Sequence, residues 1–546
     1  MRRHLFLASV SAVALIATGA QFARADDSDI AKRLEEMQQR LDRQERDLAA
    51  QKAEIARLKV ALSKPKPATV VTPEAVATHG DLDRLRAEID QQRAQAKIEK
   101  QEQPIWSVTN LRPSVSSPDG RFTMSLRGQF QLDAANYFQD PPGPLASDFR
   151  RGSVSAGQRE VNSARELSDG LNFRRAQIGV EGRFWRDFNY RVVYEFGGSG
   201  TEGPGRINDA YVNYTGLAPF TFQVGAFLPN SNMEDATAAT DILFMERATS
   251  AELSRALAGA DGRYGAGVRG NGERWSASLY WTGGTVGDAE NASEQGALVG
   301  RVAGLLLTDN DYNVHLGANA SWVFEPPDQG SLATAGRYPI RMRDRPELRV
   351  DSTRLIDSGT IDALSAHAAG LEVAANYRNL FFQGEYFDYG IERRNNLAAE
   401  PRFSGYYAEA SWVLTGETHR YNMATASYAS PKPIVPVSAE GGYGAWEIAA
   451  RFSRVDLNFH EGLPGTAAPV DAVRGGEESI WTVGVNWYLN ANLRASFNYY
   501  MVDVDRLNPA GPGNLTPFGA GTATPPLGAQ IGQDYDAIAV RTQFAL

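Results

Sequence analysis

The chain ends on the stretch AIAVRTQFAL (residues 537–546), in which a period of two continues to the last residue. One phase holds Ile538, Val540, Thr542, Phe544 and Leu546, and the other holds Ala537, Ala539, Arg541, Gln543 and Ala545. This alternation predicts a β-strand with one apolar face. Because chain ends usually fray, a regular terminal strand indicates that its pairing matters to the whole fold.

The same period of two recurs from about residue 120 onward, for example in RFTMSLRGQFQLDA (121–134). It predicts about sixteen strands, near 121–136, 172–185, 188–197, 207–215, 218–228, 262–270, 273–283, 295–307, 311–324, 368–378, 379–390, 403–415, 443–456, 479–490, 492–505 and 535–546. Each segment is long enough to cross a bilayer as a tilted strand. Short turns alternate with long irregular loops, which fall at 137–170, 229–261, 325–366 and 506–534.

These features predict an all-β fold, an antiparallel transmembrane β-barrel of about sixteen strands. A soluble sandwich or propeller would need several cores or blade-like repeats of about 40–50 residues, and the sequence contains no such repeat. In lipid, a closed barrel satisfies the hydrogen bonds of every backbone amide without helices. The terminal strand is therefore expected to close the barrel by pairing with the first strand, near 121–136.

The amino terminus has the pattern of a secretory signal peptide, with Arg2, Arg3 and His4 before an apolar run from 5 to 17. The small residues Ala23 and Ala25 flank Arg24 and predict cleavage after Ala25. No later stretch is as long and apolar as a membrane-spanning helix, so the mature chain is expected to contain none.

The next region, residues 26–63, is predicted to be an α-helical coiled coil. Its seam alternates in steps of four and three and consists of Ile30, Leu34, Met37, Leu41, Gln44, Leu48, Gln51, Ile55, Leu58 and Leu62. A coiled coil implies an oligomer, whereas the alternative is a single amphipathic helix that lies on a domain. Residues 64–103 form a linker with prolines and a short helix, and 104–546 form the barrel.

Composition excludes several classes of function. The formal net charge of −10 and the pI near 5.4 argue against nucleic acid as a partner. The chain has no cysteine, and its six histidines show no metal-ligand spacing. No catalytic motif is present. We therefore predict no enzyme activity, no catalytic residues, no cofactor and no metal.

The inner phase of the predicted barrel indicates what the protein does. A barrel of about sixteen strands encloses more space than side chains can fill, so water enters and a channel results. The candidate pore-lining residues are Arg127, Arg175, Arg183, Arg191, Arg301, Arg451, Arg494, Arg541, Glu181, Glu195, Asp209, Glu409 and Glu447. The related inner positions Asp133, Glu372 and Glu385 also carry charge.

The basic residue in this region is arginine. Residues 121–546 contain 35 Arg and one Lys against 48 Asp and Glu. The acidic balance by itself favours cations, whereas the planar fork of arginine suits oxyanions. A third interpretation, that arginine only pairs with luminal carboxylates, remains open at this stage.

The loop at 229–261 is the candidate constriction. It carries Glu234, Asp235, Asp241, Glu246, Arg247, Glu252 and Arg255. A long loop that folds back into the lumen narrows the pore and sets its selectivity with these charges. The alternative is a loop that stands above the membrane.

Several stretches carry a family likeness, among them LNFRRAQIGVEGRFWRDFNYRVVYEF (171–196), INDAYVNY (207–214), VGAF (224–227), LFMER (243–247), YYAEASWVLTGETHRYN (406–422), GAWEIAARFS (444–453) and VGVNWYLNANLRASFNYY (483–500). Together they resemble the phosphate-selective porin O/P family. The resemblance implies a sixteen-stranded trimeric barrel that takes up anions, with arginines and central lysines in the channel of phosphate-specific members. This chain departs from the family at Leu228, where many relatives have lysine.

The sequence therefore predicts an outer-membrane porin for small hydrophilic solutes, with phosphate or related oxyanions as the favoured permeants. A general or cation-leaning porin is one alternative, and an envelope tether that works through its coiled coil is another. The expected partners are outer-membrane lipid, two further copies in a homotrimer, small inorganic or organic ions, peptidoglycan and the barrel-assembly machinery. That machinery recognises a terminal aromatic in such families, whereas this chain has Leu546 last and Phe544 two residues before it. The predicted location is the bacterial outer membrane, with the coiled coil in the periplasm.

Overall fold

The computed structural model describes residues 87–88, 90–91, 103–141, 143, 148–150, 166–198, 205–260, 262–286, 293–330, 336–395, 398–509 and 527–546. The predicted signal peptide, the coiled coil and nearly all of the linker lie outside these residues. The barrel belongs to a compact unit that spans Ala96–Leu546.

Residues 87–88 and 90–91 are helical, and the described residues from 103 onward form a series of strands with two helices among them. The strands are β1 (Ile105–Thr109), β2 (Arg112–Ser116), β3 (Thr123–Phe138), β4 (Gly170–Phe184), β5 (Phe188–Glu195), β6 (Arg206–Leu217), β7 (Phe220–Phe227), β8 (Arg263–Asn271), β9 (Trp275–Thr285), β10 (Gly296–Thr308), β11 (Tyr312–Glu325), β12 (Pro339–Ile340), β13 (Arg343–Asp344), β14 (Ile356–Asp357), β15 (Ile361–Tyr377), β16 (Leu380–Arg393), β17 (Arg402–Val413), β18 (Arg420–Asn422), β19 (Ser427–Ala429), β20 (Ala445–Phe459), β21 (Val473–Tyr488), β22 (Leu493–Asp505) and β23 (Tyr535–Ala545). The helices, here α1 and α2, span Met233–Ala236 and Thr249–Ala258.

Within the described residues, sixteen of these strands close into an antiparallel barrel: β3–β11, β15–β17 and β20–β23. Each pairs with its neighbour in the chain, and β23 returns to β3 with Arg541 opposite Asp133. The prediction of a sixteen-stranded barrel closed by the terminal strand is confirmed. β1 and β2 form a hairpin outside the sixteen barrel strands. β2 pairs with the first residues of β3, with Ser114 opposite Ser125.

The alternation of side chains follows the predicted phases. On β23, Val540 is 42% exposed on the outside, while Arg541 next to it is 3% exposed on the inside. Leu371 and Trp481 are likewise exposed on the outer face of β15 and β21. An apolar outer band around a closed barrel suits contact with lipid. Among the residues that the structure describes, no helix is long and apolar enough to cross a membrane.

Two strands begin earlier than the sequence predicted. β15 starts at Ile361 instead of near 368, and β21 starts at Val473 instead of near 479. In the added part of β15, Ile361, Ala363 and Ala366 join a buried cluster with residues from the connection after β11, and Val473 of β21 joins the same cluster. The period of two could not show this, because the inner face is apolar where loops fill the barrel.

The connections at the two ends of the barrel differ in length. One end has short turns, such as the two residues between β15 and β16. The connection between β17 and β20, residues 414–444, lies at this same end and is an exception to the pattern. The long connections predicted from the sequence did not include it. It includes β18 and β19, and it reaches into the lumen.

Candidate functional site: the lumen of the barrel

The connection between β7 and β8, residues 228–262, folds into the lumen, and we call it the constriction loop. Side chains from the inner wall hold its backbone. Gln131 Nε2 donates to the carbonyl oxygen of Ala239 at 3.1 Å, and Arg494 donates to the carbonyl of Leu243 at 2.8 Å. Wall side chains of this kind fix the backbone of the loop on several strands.

The start of α1 is anchored by a wall carboxylate. Glu385 accepts hydrogen bonds from the backbone nitrogens of Met233 at 2.9 Å and Glu234 at 3.1 Å. The side chain of Asn232 caps the helix by accepting from the nitrogen of Asp235 at 2.7 Å. Burial, followed by the charge of Glu409, raises the pKa of Glu234 well above its usual range.

A buried network of ion pairs joins the loop to the closing strand. Glu246 lies between Arg174, at 2.8 Å, and Arg541, at 2.6 Å, and Arg541 also pairs with Asp133 at 2.6 Å. Burial alone would raise the pKa of Glu246, but Arg174 and the other surrounding arginines hold it well below its usual value. The carboxylate therefore stays charged and links three elements.

The connection between β11 and β15, residues 326–360, also enters the lumen. Its Arg349 donates to Glu252 of α2 at 2.8 Å, and Glu252 also accepts from Arg255 at 2.8 Å. Its Glu347 accepts from Arg451 of β20 and from Ser453 Oγ at 2.6 Å. The connection 326–360 thus holds the constriction loop in place through an ion pair.

The segment 414–444 fills the lumen from the short-turn end. Arg301 donates to the carbonyl oxygens of Thr425 and Ala426, at 2.6 and 2.8 Å. The backbone nitrogen of Ser430 donates to Asp241 of the constriction loop at 3.2 Å. Tyr428 packs with Met233, Leu243, Phe244, Phe381, Ala374 and Ala449 in a buried apolar cluster. The constriction loop is therefore held from both ends of the barrel.

The three inward segments leave a cavity along the wall of β3–β8. Its volume is about 380 Å³. Among the described residues, nine arginines line it: Arg127, Arg174, Arg175, Arg191, Arg206, Arg247, Arg255, Arg269 and Arg349. Four carboxylates accompany them, from Glu195, Asp209, Asp235 and Glu252. The wall of the cavity is thus basic, although the barrel as a whole is acidic.

A second cavity, of about 610 Å³, continues toward the short-turn end. Both cavities are lined by Arg127, Gln129 and Ala238. Asp241 and Lys432 line the second cavity. The two cavities are therefore neighbours in the lumen.

The structure distributes the predicted residues over three environments. Lining the first cavity are Arg127, Arg175, Arg191, Glu195, Asp209, Asp235, Arg247, Glu252 and Arg255, and Asp241 lines the second. Buried behind the inward segments are Arg301, Arg451, Arg494, Arg541, Glu234, Glu246, Glu409 and Glu447. Glu181 pairs with Arg191 at 3.0 Å beside the cavity, and Arg183 is exposed near the turn after β4.

Four cavity arginines were not among the predicted residues. Arg206 and Arg269 lie in strands, and Arg269 follows the outward Val268, so the period of two contained the signal for it. Arg174 and Arg175 both face inward because the register of β3 and β4 shifts after Gln131. Arg349 enters only through the folding of a loop, which no local pattern indicates.

A closed barrel of sixteen antiparallel strands, apolar outside and charged within, is the architecture of outer-membrane channel proteins. The sequence model of the family described as Phosphate-selective porin O and P matches residues 150–516. The chain belongs to this family, and it is an outer-membrane porin.

Two relatives are similar along most of their length. Porin O of Pseudomonas aeruginosa is 24% identical over 410 residues, which cover 72% of this chain and 86% of that protein. A protein of Caulobacter vibrioides described as uncharacterized is 26% identical over 471 residues, with coverage of 81% and 89%.

Solved structures resemble the barrel more distantly. An anion-selective porin from Comamonas acidovorans is 13% identical, with a TM-score of 0.42 and coverage of 78% of this chain and 100% of that one. OmpT of Vibrio cholerae, in its outer-membrane expressed form, is 11% identical, with the same TM-score of 0.42 and coverage of 78% and 98%.

Proposed function

We propose that this porin conducts small hydrophilic anions, phosphate and related oxyanions among them. The observation that carries the proposal is the lining of the first cavity, where nine arginines face four carboxylates among the described residues. A permeating ion senses the charges of the narrow lining far more than those of distant loops, because the lining is within a Debye length of the ion. The basic wall therefore outweighs the acidic balance of the whole chain.

The chemistry of the lining suits oxyanions without trapping them. Arginine binds phosphate or carboxylate through two parallel hydrogen bonds. The carboxylates of Asp209 and Asp235 line the same cavity and limit how tightly an anion is held. Conduction needs binding strong enough to admit an ion and weak enough to release it. No lysine lines this cavity among the described residues, which favours passage over tight retention.

The test is the zero-current potential of the purified porin in a planar bilayer under a KCl gradient. We expect the sign of an anion-selective pore, and Arg175→Gln combined with Arg206→Gln should weaken the selectivity. The control is Arg183→Gln, which lies on the same strand as Arg175 but is exposed outside the cavity. A cation-selective wild type would instead support the cation-leaning porin.

The departure at Leu228 has its own test, because this side chain lines the first cavity. Leu228→Lys adds a positive charge at the position where the family resemblance implies lysine. We expect phosphate to block chloride current at a concentration about tenfold lower than in wild type, which corresponds to about 1.4 kcal/mol. Leu228→Met keeps the size and the neutrality of the side chain, and it should leave the block unchanged.

The proposal also covers the oligomeric state of the porin and the location of its N-terminal region in the cell envelope. We infer a homotrimer whose coiled coil, residues 26–63, lies in the periplasm, and whose passage of ions involves no catalysis. The heptad seam supports self-association. Contact of this region with peptidoglycan and handling of β23 by the barrel-assembly machinery complete the proposed set of partners.

A further inference from the structure

Three aromatic side chains lie together on the inner wall of β6–β9, and we call them the aromatic floor: Tyr211, Phe227 and Tyr280. The ring centroid of Phe227 is 6.3 Å from that of Tyr211 and 5.3 Å from that of Tyr280. Tyr211 and Tyr280 line the first cavity, and so does Leu228, which follows Phe227 in the chain. The first cavity therefore has an aromatic and apolar side in addition to its arginines.

Glycines on β8 make room for the aromatic floor. Gly267 lies opposite Tyr280 in the register of β8 and β9. A Cβ at Gly267 would clash with Cδ1 of Tyr280, and a Cβ at Gly265 would lie 3.0 Å from Cζ of Phe227. Aromatic rings commonly cover a glycine of the neighbouring strand in this way. The rings therefore lie against the wall, which leaves space in the lumen above them.

Polar side chains without partners accompany the aromatic floor. Tyr280 and Gln223 are 2% and 7% exposed, yet neither side chain forms a hydrogen bond within the part of the chain that the structure describes. Nε2 of Gln129 is also buried without a partner there. All three side chains line the first cavity. Because buried polar groups nearly always have a partner, these groups point to a ligand or water in the cavity.

Arg269 provides a positive charge beside the aromatic floor. It follows Gly267 by two residues, so it shares the inner face of β8, and it lines the first cavity. Arg255 in the same lining pairs with Asp235 at 2.6 Å, whereas Arg269 forms neither an ion pair nor a hydrogen bond with any described residue. An arginine binds a carboxylate through two parallel hydrogen bonds. The guanidinium of Arg269 is therefore available to a carboxylate in the cavity.

We propose that the first cavity is a binding site for aromatic carboxylates. The proposal rests on the proposed passage of anions and assigns a class of substrate to it. The carboxylate binds Arg269, and the ring packs on Tyr280 and Leu228, where phosphate has no apolar surface to place. The amide of Gln223 is available to a hydroxyl group on the ring. The volume of about 380 Å³ lies within the range of small-molecule sites, about 300–1,000 Å³.

The test compares benzoate with acetate, since both carry one carboxylate and only benzoate has a ring. Each anion is added to the purified porin in a planar bilayer in KCl, and the concentration that halves the current is measured. We expect benzoate to halve the current at a concentration about tenfold lower than acetate, because contacts between aromatic rings contribute free energy beyond the burial of their area.

Four variants assign the effect to residues. Tyr280→Leu should remove most of the difference between the two anions, because leucine covers Gly267 without a ring, and it should leave the block by acetate unchanged. Tyr211→Leu is a second variant of the floor in case Tyr280→Leu does not assemble. Tyr264→Leu is the matched control on the outer face of β8, where Tyr264 is 44% exposed, and it should keep the difference. Arg269→Gln should weaken the block by both anions.

Two results would overturn the proposed site. One is an equal block by benzoate and acetate in the wild type, and the other is a tenfold difference that survives in both Tyr280→Leu and Tyr211→Leu. The zero-current potential under a KCl gradient is measured on the same channels. An anion-selective pore without a preference for benzoate overturns the class of substrate and leaves the proposed function intact. A cation-selective pore overturns the proposed function, and with it the class of substrate that rests on it.

Discussion

Arg541 shows how one residue connects the closing strand of the barrel to the loop inside the lumen. Its alternation with Val540 and Thr542 places it inside, and its guanidinium then reaches Asp133 at 2.6 Å and Glu246 at 2.6 Å. Arg541 also donates to the carbonyl of Met245. The arginine therefore joins the closing strand to the first strand and to the constriction loop, and it does not line the described cavities.

Arg541→Met should destabilise the folded barrel strongly. The change leaves Asp133 without its buried partner, and breaking a buried ion pair from one side costs about 3–5 kcal/mol. The measurement is the urea midpoint in detergent, followed by the gel mobility of folded and unfolded protein. Arg183→Met, at an exposed position on β4, should change the stability by less than about 0.5 kcal/mol. Equal effects of the two changes would contradict the role assigned to Arg541.

Asp344 is expected to make the stability of the folded barrel depend on pH. It lies in the connection 326–360, and burial raises its pKa from 3.8 to about 6, although Arg349 acts in the opposite direction. A raised pKa means that the folded protein binds the proton more tightly than the unfolded chain. The stabilisation is therefore complete below about pH 4 and is lost as the pH rises through about 6.

Asp344→Asn should remove the share of the pH dependence between about pH 4 and 6 that comes from Asp344, because the amide does not titrate. The measurement is the unfolding midpoint across this range, and the expected change is about 2–3 kcal/mol. Asp328→Asn is the control, since hydrogen bonding with Arg337 already lowers the pKa of Asp328 to about 2. A pH dependence as steep in Asp344→Asn as in the wild type would contradict the role assigned to Asp344.

At the scale of elements, the strands and the inward loop at 229–261 could be predicted, whereas the inward course of the segments 326–360 and 414–444 could not. A lipid-facing strand alternates strictly, since water is on one side and hydrocarbon on the other. The segment 414–444 has no such constraint, and its sequence is irregular. Its length and its place in the order of strands were the available signals, because a long connection after β17 interrupts a series of short turns at that end.

Replacing residues 418–441 with a short glycine and serine linker should widen the channel. The change removes the contacts of Tyr428 with Phe381 and of Ser430 with Asp241, so the constriction loop loses its support from the short-turn end. We expect a larger single-channel conductance and weaker anion selectivity.

The matched control is a deletion within the connection 460–472, which carries exposed residues such as Leu463 and Val470 at the other end of the barrel. It should leave the conductance unchanged. If the replacement of 418–441 alters only the expression level and not the conductance, the segment has no part in shaping the pore.

At the scale of the whole molecule, net charge was a poor guide to the lumen. The chain carries a formal charge of −10, yet arginines outnumber carboxylates in the lining of the first cavity among the described residues. Acidic residues such as Asp503 and Asp505 lie instead in exposed positions near the loop that follows β22. The distribution of charge, and not its sum, determines which ions approach the pore.

Removal of residues 26–103, with the signal peptide kept, should weaken the association between copies of the porin and leave the barrel itself intact. We expect the truncated barrel to fold and to keep its single-channel conductance, because its lining lies between Arg127 and Thr425. The oligomer should dissociate at a lower temperature in semi-native gels, and the protein should be released more easily from isolated envelopes. Unchanged dissociation and release would leave the predicted coiled coil without a role in assembly or attachment.

The sequence by itself determined the strand number, the inner and outer phases and the closing strand. These follow from a local rule, since every membrane-facing position must be apolar and every backbone amide must be paired. The inner phase was also predictable at Arg127, Arg175 and Arg191, which line the first cavity.

Only the tertiary structure decided which inner arginines remain at the cavity. Arg451 and Arg494 share the inner phase with Arg175, but they donate to the constriction loop, with Arg451 bonded to the carbonyl of Glu246 at 3.0 Å. The reason is physical: the path of an irregular loop depends on buried contacts between residues far apart in the chain. Alternation along a strand carries no information about such contacts.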